Sequence, residues 1–172
     1  YGRLTEDYSL INRKLEQQLH ELDEARRQVE ASGRKLALFA ERSPIAVFEF
    51  DPQGRVLGMN PAAETLFGYA ATEVAGKAGT EIFFPAALQP EIGSRWNTLI
   101  RDRRPELGVR YDSLRRDGQK LVCEWSMTPL VNAENQVISV VLQGQDVTRQ
   151  LESERLKKEF TSTLSHELRT PI

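Results

Sequence analysis

The first forty residues carry their apolar side chains at the two seam positions of a heptad repeat. The repeat runs from Leu4 to Phe39 without a slip, and the positions outside the seam are mainly charged or polar. This pattern predicts a coiled-coil helix of about five heptads, on the order of 50 Å long. One seam position holds Tyr8, Leu15, Leu22, Val29 and Leu36, and the other holds Leu4, Ile11, Gln18, Ala25, Ser32 and Phe39.

Charges beside the seam favour a parallel pair of identical helices. Glu21 occupies a g position, and Arg26 occupies the e position that it would meet on a second copy of the helix. Polar Gln18 and Ser32 weaken the seam, and Gly33 costs about 1 kcal/mol of helix stability relative to alanine. We therefore expect a parallel homodimer whose coil can open or rotate. The alternative is a helix that packs on its own domain.

The heptad pattern ends at Ser43-Pro44, and short segments separated by turn residues follow. Asn60-Pro61 is typical of a helix start and Gly68 of a helix end. Two strands, short helices, one longer helix and three strands in this order indicate an α+β domain. The predicted strands are 45–50, 55–59, 107–115, 120–129 and 136–147, and the predicted helices are 62–67, 71–74 and 85–103, with a short turn at 80–84.

Six short segments within residues 43–148 carry a recognisable pattern: Ser43-Pro44-Ile45-Ala46-Val47, Gly54, Asn60-Pro61-Ala62-Ala63, Leu66-Phe67-Gly68-Tyr69, Arg116-Asp117-Gly118 and Asp146-Val147-Thr148. With these residues, the segment resembles a PAS sensor domain. The resemblance implies a five-stranded antiparallel sheet in the spatial order 2-1-5-4-3, with helices on one face that enclose a cleft. We therefore divide the chain into a coiled-coil helix at 1–42, the PAS domain, and a signalling and phosphotransfer helix at 149–172.

The cleft of some PAS domains holds haem or flavin, and the residues here argue against both. Haem usually needs a histidine on the long helix, whereas His20 and His166 lie outside the domain. A flavin adduct needs a cysteine early in the helical stretch, whereas Cys123 lies on a predicted strand, where packing is its expected role. A lone cysteine also predicts no thiolate metal site.

The ligand of the cleft is not determined by the sequence, but its aromatic residues predict an apolar or aromatic one. The alternative is that the same side chains simply fill the core. The residues expected to line the pocket are Phe48, Phe50, Phe83, Trp96, Tyr111, Trp125 and Met127, with Arg110 and Glu124 as polar anchors.

The segment after residue 148 is again helical in pattern, but its apolar face changes side. Val147 and Leu151 share one face, whereas Leu156 and Phe160 lie about 140° to 180° away from it. One coiled-coil register cannot satisfy both ends. The pattern predicts either two rotational states of similar energy or a bend or loop near 152–155.

The last residues place a histidine on the polar side of a helix. Leu164 and Leu168 share an apolar face with Ile172, and His166 lies roughly 160° from both leucines. Imidazole is a nucleophile near neutral pH, and the carboxylate of Glu167 beside it can accept the second ring proton.

Residues 165–171, Ser-His-Glu-Leu-Arg-Thr-Pro, resemble the phosphoacceptor motif of bacterial sensor histidine kinases. The resemblance implies that His166 attacks the γ-phosphate of ATP, that Glu167 accepts the proton, and that Thr170 positions a water for the reverse, phosphatase reaction. It also implies that ATP with Mg is supplied by a separate ATP-binding domain and that a response regulator receives the phosphoryl group. Without that domain this stretch is expected to be inactive alone. The alternative is a non-catalytic PAS and coiled-coil dimerisation module.

Composition and charge restrict the classes of binding partner and the cellular location that we expect. A net charge of −2 and a pI near 5.8 argue against nucleic acid as a partner. No apolar run approaches the roughly 20 residues that a membrane helix needs, so we expect this stretch to lie in the cytoplasm without membrane contact. The chain starts at Tyr1 rather than Met and stops within its last motif. We expect a fragment of a longer protein, whose other parts can include an anchor in the bacterial inner membrane.

Overall fold

The computed structural model describes residues 2–168, and the first of its two compact units is a single long helix, α1 (Gly2–Arg42). The helical prediction is confirmed. The seam side chains Leu22 and Val29 are about 70% exposed in the single chain, at 68% and 72%. Arg26 pairs within its own helix, with Asp23 at 3.2 Å and with Glu30 at 3.5 Å. A contact between Arg26 and Glu21 of a second copy would therefore compete with these bonds.

The second unit contains a five-stranded antiparallel sheet in the spatial order β2-β1-β5-β4-β3. This order and the α+β PAS fold confirm the prediction. In the longest strand, Lys120–Val131, every second side chain from Leu121 to Met127 is buried, so one face of the sheet carries the core. The strands are β1 (Ala46–Phe50), β2 (Val56–Met59), β3 (Glu106–Leu114), β4 (Lys120–Val131) and β5 (Val137–Asp146).

Four helices connect β2 to β3, and a fifth follows β5. The first begins and ends where the sequence predicts, because the Asn60 side chain caps its start and Gly68 adopts a left-handed φ of 78° at its end. The helices are α2 (Pro61–Phe67), α3 (Ala71–Val74), α4 (Gly79–Phe83), α5 (Gln89–Asp102) and α6 (Thr148–Glu167).

Two predictions in the helical stretch are wrong. The segment predicted as a turn at 80–84 is the short helix α4, whose Phe83 is completely buried. The long helix does not begin at Pro85, because a separate 3-10 turn, Ala86–Leu88, comes before α5. Pro90 lies in the first turn of α5, where its missing N–H costs no helical hydrogen bond, and so it marks the true start.

The centre of the core is a cluster of four aromatic rings without solvent contact or nearly so: Phe48, Phe67, Phe83 and Trp125. Phe48 lies 5.2 Å from the centroid of Phe83 and 5.6 Å from those of Phe67 and Trp125. Most of these pairs are edge-on or tilted, which is the favourable arrangement for aromatic quadrupoles. The cluster joins β1 and β4 of the sheet to α2 and α4.

Two glycines allow the larger rings to reach these places. A Cβ at Gly79 would collide with the ring of Phe50, and a Cβ at Gly144 would lie 2.9 Å from the ring of Trp125. The backbone of α4 and that of β5 therefore approach the aromatic rings more closely than any residue with a side chain permits.

Candidate functional site

A cavity of about 190 Å³ lies between α5 and the buried face of the sheet. It is next to the aromatic cluster but separate from its centre. Its apolar lining comes from Phe50, Phe84, Ile92, Trp96, Trp125, Met127 and Leu142, and its polar lining from Gln53, Thr80, Arg95, Asn97 and Tyr111.

Trp96 joins α5 to the turn between β1 and β2 and so closes one side of the cavity. Its indole Nε1 donates a hydrogen bond of 2.9 Å to the carbonyl oxygen of Pro52. Its ring stands edge-on to Phe50 with the centroids 5.8 Å apart. Gly54 adopts a φ of +79° in this turn, a backbone conformation that favours glycine, and the indole of Trp96 packs beside it.

Arg95 and Tyr111 form a polar edge beside the aromatic wall. The guanidinium carbon of Arg95 lies 5.8 Å from the centroid of the Tyr111 ring, a cation–π geometry. Arg95 Nη1 lies 3.4 Å from Glu106 Oε2, and the Tyr111 hydroxyl donates to Glu91 Oε1 at 3.1 Å. Burial raises the pKa of Tyr111; Arg95 opposes this rise, and the bond to Glu91 adds to it. Tyr111 therefore stays a neutral hydrogen-bond donor at physiological pH.

The structure brings together some of the predicted pocket residues and separates others. Trp96, Tyr111, Trp125 and Met127 line the cavity, as does Phe50.

The remaining predicted pocket residues lie elsewhere. Phe48 and Phe83 have no solvent exposure and belong to the filled aromatic cluster. Arg110 and Glu124 pair with each other at 2.7 Å and do not line the cavity. Neighbouring residues of a strand point to opposite faces, so Arg110 cannot share the buried face with Tyr111.

Arg95 is the polar lining residue that matters most and that sequence reasoning missed. The sequence shows only that Arg95 follows Ile92 by three residues on α5, so the two are neighbours on the helix surface, and this does not by itself place Arg95 at a cavity. Thr80 and Gln53 offered no comparable signal, since their places depend on how α4 and the β1–β2 turn meet α5.

Cys123 is buried on β4 and does not line the cavity. Burial, helped by the nearby carboxylate of Asp146, raises the pKa of its thiol to about 12. The thiol is therefore protonated and unreactive at physiological pH, as its expected packing role requires.

A compact set of hydrogen bonds attaches α6 to the sheet. Asp146 Oδ1 accepts from the backbone N–H of Thr148 at 2.9 Å and from its hydroxyl at 2.6 Å. The Thr148 hydroxyl oxygen in turn accepts from the N–H of Val122 on β4 at 2.9 Å. The Val147 N–H donates to the Val122 carbonyl, also at 2.9 Å. The start of α6 is thus bonded to the strand that carries Trp125.

His166 and Glu167 are both exposed near the end of α6. The helix is continuous from Thr148 to Glu167, so no loop interrupts it near 152–155. Leu156 and Phe160 are 57% and 67% exposed in the single chain. Thr170, expected to position a water, lies outside the described residues, as do the other residues from 169 to 172.

Within residues 2–168, no group of three or more His, Cys, Asp or Glu side chains is arranged to hold a metal ion. None of the helices in that range has the length and hydropathy needed to cross a lipid bilayer.

Two relatives are sensor proteins of bacteria. The alginate biosynthesis sensor protein KinB of Pseudomonas aeruginosa is 28% identical over 171 residues, which cover 99% of this chain and 27% of that protein. The autoinducer 2 sensor kinase/phosphatase LuxQ of Vibrio cholerae is 27% identical over 176 residues, which cover 90% of this chain and 19% of that protein. The chain thus spans only about a fifth to a quarter of the length of these relatives.

The fold is also similar to solved structures. An RNA-binding light-oxygen-voltage receptor matches with a TM-score of 0.66 at 24% identity, over 76% of this chain and 37% of that one. The family model described as the PAS fold matches residues 40–152, which is well over half of the chain. The chain therefore belongs to the PAS family, and its relatives include sensor kinases.

Proposed function

We propose that this chain is the sensory and phosphoacceptor-proximal region of a two-component sensor histidine kinase. In this function the PAS domain modulates the ATP-dependent phosphorylation of His166, and a response regulator aspartate then takes the phosphoryl group. The single observation that carries the proposal is an exposed His166 beside Glu167 on α6, a helix whose first residue, Thr148, is hydrogen-bonded to the sheet. Similarity to sensor proteins over almost the whole chain supports it.

The proposed chemistry is a phosphoryl transfer to nitrogen. An imidazole nitrogen of His166 attacks the γ-phosphorus of ATP, the bond from that phosphorus to the bridging oxygen breaks, and ADP leaves. Glu167 accepts the proton that the ring gives up. ATP and Mg²⁺ would be held by an ATP-binding domain of the parent protein, and Thr170 would position the water of the phosphatase reaction. Such a reaction needs cytoplasmic ATP, which favours the cytoplasm as the place of this region.

The proposed route of the signal runs along β4. Trp125 lines the cavity, and three residues earlier Val122 bonds to Val147 and Thr148 at the start of α6. A small displacement of β4 by a ligand would therefore reach α6 directly. The division into a coiled coil at 1–42, a sensor at 43–148 and an output helix at 149–172 is part of the proposal.

The test is phosphorylation of the full-length parent protein with radiolabelled ATP. We expect acid-labile, base-stable phosphate on the wild type and none on His166→Gln. His20→Gln is the matched control, because His20 is the other histidine of this chain and is likewise exposed on a helix. Equal labelling of wild type and His166→Gln would overturn the assignment and favour the alternative, a non-catalytic PAS and coiled-coil dimerisation module.

We further propose that α1 pairs with a second copy in parallel. The seam residues of α1 from Tyr8 to Phe39 are exposed in the single chain, and a lone helix with a charged remainder has no other way to bury them within its own unit. Leu22→Lys is expected to lower the dimer fraction at least tenfold at micromolar concentration, measured by analytical ultracentrifugation. Leu10→Lys, which changes an equally exposed leucine away from the seam, should leave the dimer intact. Equal effects of the two changes would contradict pairing through the seam.

A further inference from the structure

We propose that the cavity beneath α5 binds an aromatic monocarboxylate of single-ring size, with the ring against Trp96 and Trp125 and the carboxylate on Arg95. This inference rests on the proposed sensory function and names the chemical class of the ligand that would act on it. Three properties of the cavity support it: the size, the residues of the lining and the charge.

The size of the cavity selects small ligands. Its volume of about 190 Å³ lies below the roughly 300–1,000 Å³ of pockets for drug-sized molecules. An apolar protein cavity of roughly 150 Å³ is known to accept benzene. The space here therefore suits one aromatic ring with a short substituent, and it is too small for a haem or a flavin without rearrangement.

The lining selects an aromatic ring. Trp96, Trp125 and Tyr111 present ring faces or edges to the cavity, and Phe50 and Phe84 extend the same wall. Phe84 lies 5.5 Å from Trp125 and 6.3 Å from Tyr111, centroid to centroid, which are ordinary contact distances for aromatic pairs. These rings therefore form a continuous aromatic wall against which a ligand ring can pack.

The charge of the wall selects an anion. Arg95 is the one charged residue among the described residues that line the cavity. It makes a hydrogen bond to Glu106 at 3.4 Å, which is long, and both side chains remain partly exposed, at 38% and 28%. A guanidinium offers five N–H donors, so a ligand carboxylate can bind it in bidentate fashion while Glu106 keeps or gives up its contact.

Glu106 and Glu91 limit the charge that the ligand can carry. Glu106 lies against Arg95, and Glu91 accepts the hydrogen bond of Tyr111 at the same edge. Two carboxylates and one guanidinium disfavour a dianion, whereas a monocarboxylate in direct contact with Arg95 gains a charge-assisted pair. The neighbouring Tyr111 hydroxyl and the Asn97 amide are neutral groups near the same wall.

Both tryptophans of the chain line the cavity, so their fluorescence reports its occupation directly. The test titrates the 172-residue chain with benzoate, and separately with benzyl alcohol, benzylammonium and acetate. We expect a saturable fluorescence change with benzoate and at least tenfold weaker binding of the other three. Binding of benzyl alcohol or benzylammonium as tight as that of benzoate, or no saturable change below about 10 mM benzoate, would overturn the proposal.

Two variants locate the binding. Arg95→Gln should weaken benzoate binding about tenfold or more, because it removes the charge-assisted pair. Arg110→Gln is the matched control: this arginine is also paired with a glutamate but does not line the cavity, and its change should leave binding unaltered. Equal affinities of Arg95→Gln and wild type would contradict the contact.

A variant that fills the cavity tests the binding site without changing any charge. Gly93 lines the cavity, and a Cβ there would meet no other atom within 4 Å, so Gly93→Leu can occupy the space. We expect it to abolish benzoate binding with an unchanged circular dichroism spectrum. Gly58→Leu also meets no atom within 4 Å at its Cβ but lies outside the cavity, and it should bind normally. Retained binding by a folded Gly93→Leu would overturn the site.

The ligand proposal and the proposed function can fail independently of each other, because they are tested by different measurements. Labelling of His166 in the parent protein is measured without any benzoate, so it can succeed where benzoate does not bind. Benzoate binding is measured on the isolated chain and needs no kinase activity.

Discussion

Replacing Phe48 with alanine is expected to lower the free energy of unfolding of the PAS unit by about 3–5 kcal/mol. Phe48 has no solvent exposure and contacts Phe67, Phe83 and Trp125 at centroid distances of 5.2 to 5.6 Å. The change removes the whole ring from the centre of the core, and the cluster around it cannot collapse into the gap without moving both sheet and helices. Domains are typically stable by only about 5–15 kcal/mol, so the loss is a large fraction of the total.

The measurement is urea unfolding followed by tryptophan fluorescence. Both tryptophans lie in the PAS unit, so the signal does not depend on α1. Phe160→Ala is the control, because that ring is 67% exposed on α6 and its loss should change stability by no more than about 0.5 kcal/mol. A midpoint for Phe48→Ala close to that of the control would contradict the central position of this ring.

Replacing Asn60 with alanine is expected to lower the free energy of unfolding by about 2–4 kcal/mol. Asn60 is only 6% exposed, and its Oδ1 accepts from the N–H groups of Val47 and Ala63 at 2.9 Å each. Its Nδ2 donates to the carbonyl oxygen of Ile45 at 3.0 Å. One side chain therefore caps α2 and holds the entry to β1, and alanine leaves all three backbone groups without this partner.

Two further variants separate the roles of the Asn60 side chain. Asn60→Asp retains the acceptor for Val47 and Ala63 but sets a carboxylate against the carbonyl of Ile45, so it should recover only part of the loss. Asn97→Ala, a change of the same type at an exposed helical position, should be nearly neutral. Full stability in Asn60→Ala by the same fluorescence measurement would show that the three bonds contribute little.

One strand joins the cavity to the start of α6. β4 contributes Trp125 and Met127 to the cavity and, through Val122, receives the start of α6. β4 is hydrogen-bonded to β3 on one side and to β5 on the other. In the proposed function, a ligand that displaces β4 would need a differential affinity of only a few kcal/mol to shift the population of α6 orientations.

Local features were the easiest to predict. The heptad pattern predicted α1 because a period of 3.5 residues is already a property of consecutive side chains, and Asn60-Pro61 and Gly68 predicted both ends of α2. The short helix α4 was missed because five residues carry too little periodicity. Its structure depends instead on Phe83 in the core and on the contact between Gly79 and Phe50.

In the candidate site, too, some features could be predicted from the sequence and others could not. The aromatic residues of the core and of the cavity look alike in the sequence, yet Phe48 is enclosed by other rings whereas Trp96 stands at a cavity wall. Strand alternation could have separated Arg110 from Tyr111, because adjacent residues of a strand point to opposite faces. Arg95 could be placed at the cavity only once the position of α5 on the sheet was known.

By itself, then, the sequence determined the long helix α1, both ends of α2, the strands, the α+β order and the motif that contains His166, because each depends on neighbouring residues. Only the tertiary structure decided which rings pack tightly, where a cavity remains and that Arg95 borders it. These depend on the close approach of segments far apart in the chain, such as Gly144 against Trp125 and Trp96 against Pro52. Packing distances of this kind are set by all the elements together and leave no local pattern.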